Sequence, residues 1–373
     1  MTLLNNGDAV LFNGKLTDGL LRGAWATNEY YNNIATDFHL INIECKNIVP
    51  ALLPAGACDS VLAYSGGVDA NYSLVSHKRG LVGAKNTNIR VAVSVCGLAL
   101  GMSETDKFNE YAKYQESVLS EYGVDFLPVF IPQEGPIDLQ YMWKLAAALH
   151  LFANVGNFAY GLIGSDGTDY LHIHLSTFAD NPMSTDDLSS RAFRVFTDGQ
   201  NKSRVEKCEI LASEPTIMKN LMVCFDSDIK QNLNCGYCVK CVRTILDFWA
   251  LGVYDLPFLS RPLNMKRFYR AVKTVVAESS PEGFFFYLDV VRRTKKSERN
   301  KYWYRFLKKC CDARKNVCIG IDKVFEPETQ CEYHKYIQKI KSENGFDIPE
   351  DNWHLDVKRK HHSFWWHLRH LKF

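Results

Sequence analysis

The sequence predicts an α/β fold built on a buried parallel sheet, and three observations predict it. From residue 59 onward, short apolar runs of strand length alternate with stretches of helical period, the pattern of βαβ units. The first run, Val61-Leu62-Ala63-Tyr64, stops in Ser65-Gly66-Gly67-Val68-Asp69 and continues as a helical pattern over 71–78, so a glycine turn joins strand to helix. The longest apolar stretch, 145–163, is broken by His150, Asn154, Gly156 and Asn157, which reads as a buried helix and strand and not as a membrane span.

Taken in order, residues 1–58 form a small β-rich region, with apolar runs at 9–12 and 38–43 between Asn/Gly turns. The core, 59–255, has strands at 60–64, 89–96, 125–131 and 160–164, with helices at 71–78, 103–122 and 142–152 between them. Such a sheet binds ligands outside the carboxyl ends of its strands. Ser65 to Asp69, Ser94 and Cys96 near the end of the second strand, and Ser165-Asp166 after the fourth all fall on that edge. Residues 256–373 are helical and basic, with clusters such as Arg292-Arg293 and Lys358-Arg359-Lys360.

Composition bounds the class. At 373 residues, 46% hydrophobic and 23% charged, the chain is an ordinary globular protein of two or three structural units. Twelve cysteines, with no basic segment preceding an apolar run at the start, point to a reducing compartment, hence the cytoplasm, and to thiol or metal roles. Charge is uneven: residues 292–373 carry 20 Lys/Arg against 11 Asp/Glu, and residues 1–291 carry 24 against 31. A solvated helical surface accounts for this; an acidic or nucleic-acid partner is the sharper alternative.

Paired glycines let backbone N–H groups turn toward one point, and the helix behind them adds its unpaired first-turn amides. A phosphate would sit there. The segment resembles the pyrophosphate-binding loop, Ser-Gly-Gly-x-Asp-Ser, of the PP-loop ATP pyrophosphatases. This superfamily has an adenine nucleotide alpha hydrolase-like core and includes asparagine synthetase, tRNA thiolases and 7-cyano-7-deazaguanine synthase. The resemblance implies that Ser65, Gly66, Gly67, Val68 and Asp69 hold the β and γ phosphates of ATP, which leave as pyrophosphate while a substrate is adenylated. One departure stands out, since the last family Ser is Ala70 here.

Cys224, Cys235, Cys238 and Cys241 suit a closed tetrahedral zinc site, because two-residue gaps let successive sulfurs converge on one ion. The stretch 234–244, Asn-Cys-Gly-Tyr-Cys-Val-Lys-Cys-Val-Arg-Thr, is similar to the zinc motif of 7-cyano-7-deazaguanine synthases, in which the metal is structural. The two motifs in this order cover roughly residues 59–252. Between them, Ser203-Arg204-Val205-Glu206 has the form of a capping box starting a helix at Arg204, with Lys207 on the same face. By the resemblance, Arg204 and Lys207 contact the triphosphate. Asp166 is a candidate for Mg²⁺ or substrate; Asp169 reads as a turn former. His172 and His174 alternate as in a strand. Cys310, Cys311, Cys318, Cys331 and His334 could form a second metal site, though their irregular spacing favours free thiols, and Phe364, Trp365, Leu368 and Leu371 share one helical stripe.

The resemblance implies an enzyme that uses ATP, Mg²⁺ and Zn²⁺. A carboxylate of a small molecule or protein attacks the α-phosphorus, pyrophosphate leaves, and a nitrogen nucleophile displaces the adenylate. Lys207, Arg204 and Asp69 are the expected catalytic residues, in a ligase of a specialised biosynthetic or phage-defence setting; a homodimer is compatible with the chain. The alternatives are a nucleotide-binding protein without turnover, which the Ala70 change would favour, and a tRNA sulfur-transfer enzyme with a persulfide-carrying cysteine.

Overall fold

The computed structural model describes residues 9–34, 40–50, 57–132, 137–168, 185–224, 234–259, 261–279 and 281–321. Its strands are β1 (Ala9–Thr17), β2 (Asn42–Val49), β3 (Asp59–Ala63), β4 (Asn88–Cys96), β5 (Asp125–Phe130), β6 (Phe158–Gly164) and β7 (Arg194–Asp198). The helices are α1 (Asp18–Ile34), α2 (Val68–Lys78), α3 (Thr105–Glu121), α4 (Ile137–Leu149), α5 (Arg204–Leu211), α6 (Pro215–Asn220), α7 (Val239–Ala250), α8 (Met265–Glu278), α9 (Pro281–Arg293) and α10 (Tyr302–Ile321).

Five strands form one parallel sheet in the order β5-β4-β3-β6-β7. The chain starts in the middle, winds outward through β4 and β5, then returns to build β6 and β7 on the other side of β3. The direction of winding therefore reverses between β3 and β6, which opens a crevice at their carboxyl ends. β3 is buried on both faces, as parallel strands covered by helices must be. Val61 and Ala63 pack with Met142, Leu145 and Leu149 of α4 on one side. Leu62 meets Leu74 of α2 and Leu119 of α3 on the other. The four strands and three helices expected within residues 60–164 are present, and β7 is a fifth strand that the periodicity did not announce.

The N-terminal region departs from the β-rich expectation. Between β1 and β2, which pair in parallel, runs the 17-residue helix α1. Parallel strands require such a crossover, since no tight turn can join them. Toward the other end, the chain runs through α8, α9 and α10 as far as residue 321. They share one apolar cluster with the core, in which Val205 and Leu211 of α5, Ile245 and Trp249 of α7, Phe268 of α8, Tyr287 of α9 and Trp303 of α10 are buried together. No described helix is long and apolar enough to cross a membrane. Asp169, His172, His174, the side chain of Cys318, and Cys331, His334 and the 364–371 stripe lie outside what is described.

Candidate functional site

The Ser65 to Asp69 loop leaves β3 at the winding reversal and enters α2. Gly66 has φ +74°, a left-handed conformation in which a side chain would be strained. Gly67 is the N-cap of α2 and offers no side-chain cap, so the first-turn amides of that helix have no side-chain acceptor from this position. Asn71 braces the loop from beneath. Its Nδ2 donates to the carbonyls of Gly66 (2.8 Å) and Gly67 (2.9 Å), while its Oδ1 accepts from the Tyr64 hydroxyl (2.8 Å). Across the crevice β6 comes very close: a Cβ on Gly164 would stand 2.7 Å from the carbonyl carbon and oxygen of Asp69. Glycine is required at the end of β6 for the loop to sit where it does.

Asp69 is the centre of a buried ion network. Arg204 Nη1 donates to Asp69 Oδ2 at 2.5 Å, and Lys207 Nζ reaches Asp69 Oδ1 at 3.4 Å. The capping box forms as expected: Ser203 Oγ accepts from the Glu206 N–H, and Glu206 Oε2 accepts from the Ser203 N–H at 2.8 Å. That fixes the first turn of α5, so Arg204 and Lys207 project together toward α2. Neither cation is solvated, with Arg204 only 5% and Lys207 0% exposed. Lys207 also donates to the Ser165 carbonyl and lies 5.7 Å from the centre of the Tyr72 ring. Arg204 Nε faces Asp247 at 3.2 Å, and its Nη2 donates to Thr244 Oγ1 at 3.3 Å.

Electrostatics follow from that packing. Burial works to raise the Asp69 pKa, but Arg204, Lys207 and Arg243 outweigh it and hold the carboxyl below its ordinary value. Burial likewise opposes the charge on Arg204, and Asp69 and Asp247 more than offset it. Asp247 is pushed up to about 7, because desolvation exceeds the pull of Arg204 and Arg243. Lys240 is drawn down to about 8 by burial and then by Arg243 and Arg204. Arg243 itself stacks on Phe286, 3.9 Å from the ring centre, and its Nε is buried without a hydrogen-bond partner among the described residues. Asp166 belongs to the same cluster through its field at Arg204, Lys240 and Arg243.

The four cysteines converge. Their sulfurs all lie within 4.8 Å of one another, and the Cys224–Cys238 and Cys235–Cys241 separations are 3.7 and 3.8 Å. A tetrahedron of zinc–sulfur bonds of about 2.3 Å has an edge of about 3.8 Å, so the spacing is that of a metal-thiolate cage. Backbone amides add the expected support: Cys235 Sγ accepts from Tyr237 N (3.4 Å) and Cys238 N (3.3 Å), and Cys238 Sγ accepts from Cys241 N (3.5 Å). Gly236, at φ +81°, makes the tight turn between Cys235 and Cys238. Cys238 is also the N-cap of α7. A zinc ion held here would tie the segment before Cys224 to the start of the helix that carries Arg243, Thr244 and Asp247. Cys310 and Cys311 lie outside this group.

Most residues singled out from sequence therefore meet: Ser65 to Asp69, Asp166, Arg204 and Lys207 line one edge, and the cysteines form one cluster. Ser94 lies within β4, one position past the Ala63–Val93 pair and so level with Tyr64, and is half-buried. Ala70 does not face the edge. It is buried in the apolar cluster with Leu62, Leu74 and Leu162. Sequence reading missed Asn71, Gly164, Lys240, Arg243 and Asp247. The last two had a signal, being four apart on one helix directly after the cysteine motif. It also missed the His77–Asp198 pair beneath α2, in which Thr87 N donates to His77 Nδ1 at 3.0 Å and His77 Nε2 stands 3.6 Å from Asp198. No family model matches the chain, and comparison with curated proteins and with solved structures likewise returned no match.

Proposed function

We propose that the chain binds ATP at the Ser65 to Asp69 loop and adenylates a carboxylate, releasing pyrophosphate, with a nitrogen nucleophile then displacing AMP. The observation that carries this reading is the loop's position: a Ser-Gly-Gly-Val-Asp turn at the winding reversal between β3 and β6, with Lys240 and Arg243 of α7 close enough to feel Asp69 and Asp166. That combination favours a polyphosphate, whose charge the loop amides and neighbouring cations complement. In this reading Arg243 and Lys240 contact the nucleotide or acceptor directly. Asp69, Arg204 and Lys207 hold α2 against α5 so that the loop keeps its shape. Catalysis then rests on positioning and charge stabilisation, with no covalent enzyme intermediate. Mg²⁺ would accompany the nucleotide and neutralise phosphate charge, with Asp166 as the carboxylate best situated to meet it.

A second reading, a nucleotide-binding protein without turnover, is favoured by one specific feature: Arg204 and Lys207 are already paired with the buried carboxylate of Asp69. Pyrophosphate release separates the two. Purified protein is given Mg-ATP, ammonium and a panel of small carboxylic acids, and pyrophosphate is measured beside ATP affinity. Release above the no-acid control that Gly67→Val abolishes supports the enzyme. Binding of ATP without release supports the scaffold. Unchanged ATP affinity in Gly67→Val refutes the loop assignment, since a branched side chain there would stand where the phosphate approaches.

A further inference from the structure

Away from the sheet edge, α7, α8, α10 and the connection after α7 enclose an open cavity of about 560 Å³, a size that holds a small ligand. Its walls include Trp249, Tyr254, Tyr269 and Trp303, with Arg261 and Met265 at the rim. Trp249 is 200° around α7 from Asp247 at 100° per residue, so this site and the ion network use opposite faces of one helix. The rings are fixed before any ligand arrives. Trp249 lies 5.9 Å from both Tyr254 and Trp303, centre to centre, and 5.0 Å from Phe268. The Tyr254 hydroxyl accepts from Trp303 Nε1 at 3.1 Å and donates to Glu298. Tyr254 is nonetheless 44% exposed and Met265 41%, so an apolar and aromatic surface faces solvent although the ring is pinned.

The chain segments that build the cavity are rich in cations. Residues 254–314 carry 15 Lys/Arg against 6 Asp/Glu. Of those cations Arg293, Lys295 and Lys308 are paired with carboxylates, while Glu298 accepts from Tyr254. Lys301 Nζ lies 5.8 Å from the Tyr254 ring centre, Arg261 lines the cavity, and Lys266, next to the lining Met265, is exposed. A preformed aromatic slot within a field of cations complements a flat ring that carries negative charge. Neither an acidic peptide nor an apolar metabolite uses both features. We propose that this cavity takes up an unpaired nucleobase, stacking it on the Tyr254 side of the slot while the surrounding cations hold the adjoining phosphate. Single-stranded nucleic acid and free nucleotide share that chemistry. The inference does not depend on ATP binding at the loop.

The test uses the whole chain and a fluorescein-labelled oligothymidylate of about a dozen nucleotides, read by anisotropy at low and moderate salt. A thymidine probe keeps the adenine-nucleotide reading of the loop out of the measurement. The labelled strand should bind with an affinity that falls with salt. Tyr254→Ala should weaken it about 5- to 100-fold, the loss of one stacked base, whereas Tyr254→Phe should bind nearly as wild type. Arg261→Ala, at an exposed position, should weaken binding and flatten the salt dependence by about one phosphate contact. Competition by thymidine monophosphate at similar concentration assigns the site to free nucleotides; competition only by unlabelled strand assigns it to single-stranded nucleic acid. Equal affinities for wild type, Tyr254→Ala and Arg261→Ala would overturn the proposal. So would competition by polyglutamate as effective as by the strand, or no binding at low salt.

Discussion

Replacing Asp69 by Asn removes one charge from the centre of the ion network without removing its volume, and the structure sets the size of the effect. Arg204 would lose its 2.5 Å partner but keep Asp247 and Thr244, and Lys207 would keep the Ser165 carbonyl while losing its ion pair with Asp69. Deleting one partner of a buried pair costs about 3–5 kcal/mol; Asp69 is 16% exposed and Arg204 retains a second carboxylate, so about 3 kcal/mol is expected. Urea unfolding near neutral pH should show this as a lower midpoint at unchanged slope. The pH dependence adds a second check. Asp69 has a folded pKa below its unfolded value, so its contribution is present above the ordinary carboxylate range and is lost as pH falls through the folded value. The gap between wild type and Asp69→Asn should therefore be constant near neutrality and close in acid. A cost under about 1 kcal/mol, or a gap that persists unchanged in acid, would refute the view of Asp69 as the counter-ion joining α2 to α5.

Cys238→Ser should abolish near-stoichiometric zinc in elemental analysis and lower the unfolding temperature, because site formation and folding are coupled; wild-type protein free of metal would contradict the cage. Gly164→Ala should cost about 1–3 kcal/mol and weaken ATP or pyrophosphate binding, since the new methyl would press on the Asp69 carbonyl; calorimetric titration and urea midpoints check both. Asp247, at about 7 when folded, keeps a proton that the unfolded chain has released, so its contribution to stability falls as pH rises from about 4 to about 7. Unfolding of Asp247→Asn at about pH 5 and about pH 8 should shift relative to wild type in favour of the variant by about 2 kcal/mol, and no shift would mean the carboxyl is ionised throughout.

The parallel sheet was legible because buried strands of this kind are short apolar runs set between turn residues, and β3, β4, β5 and β6 all have that form. Helix α1 was hidden by its glycines. Gly19 and Gly23 read as turn formers, yet in the structure they are close-approach residues: a Cβ on Gly23 would stand 1.7 Å from the Asp187 carbonyl oxygen, 164 positions along the chain. The sequence also marked the chemistry-bearing side chains more clearly than their partners. Arg204 and Lys207 stood out as cations on one helical turn, but their carboxylate lies 135 and 138 residues away, and no local pattern records so distant a pairing. The cysteine motif was legible because its spacing encodes its geometry. The long return from Cys235 to Cys224 added the fourth ligand without upsetting that geometry.

That pairing changes which cation is available to a ligand. From sequence, Arg204 and Lys207 looked like free charges at a helix start, where they oppose the dipole until an anion arrives. In the fold the anion is already present as Asp69, and a phosphate would have to displace a buried carboxylate to reach either of them. Separating such a pair costs several kcal/mol, more than one phosphate contact returns at a wetted edge. Arg243 needs no such exchange: its guanidinium rests on Phe286 with its Nε uncommitted, on the helix whose first turn the cysteine cluster fixes. Any anion that binds beside the loop should therefore meet Arg243 first. Substitutions of Arg204 and Lys207 should act mainly through stability, and substitution of Arg243 mainly through affinity.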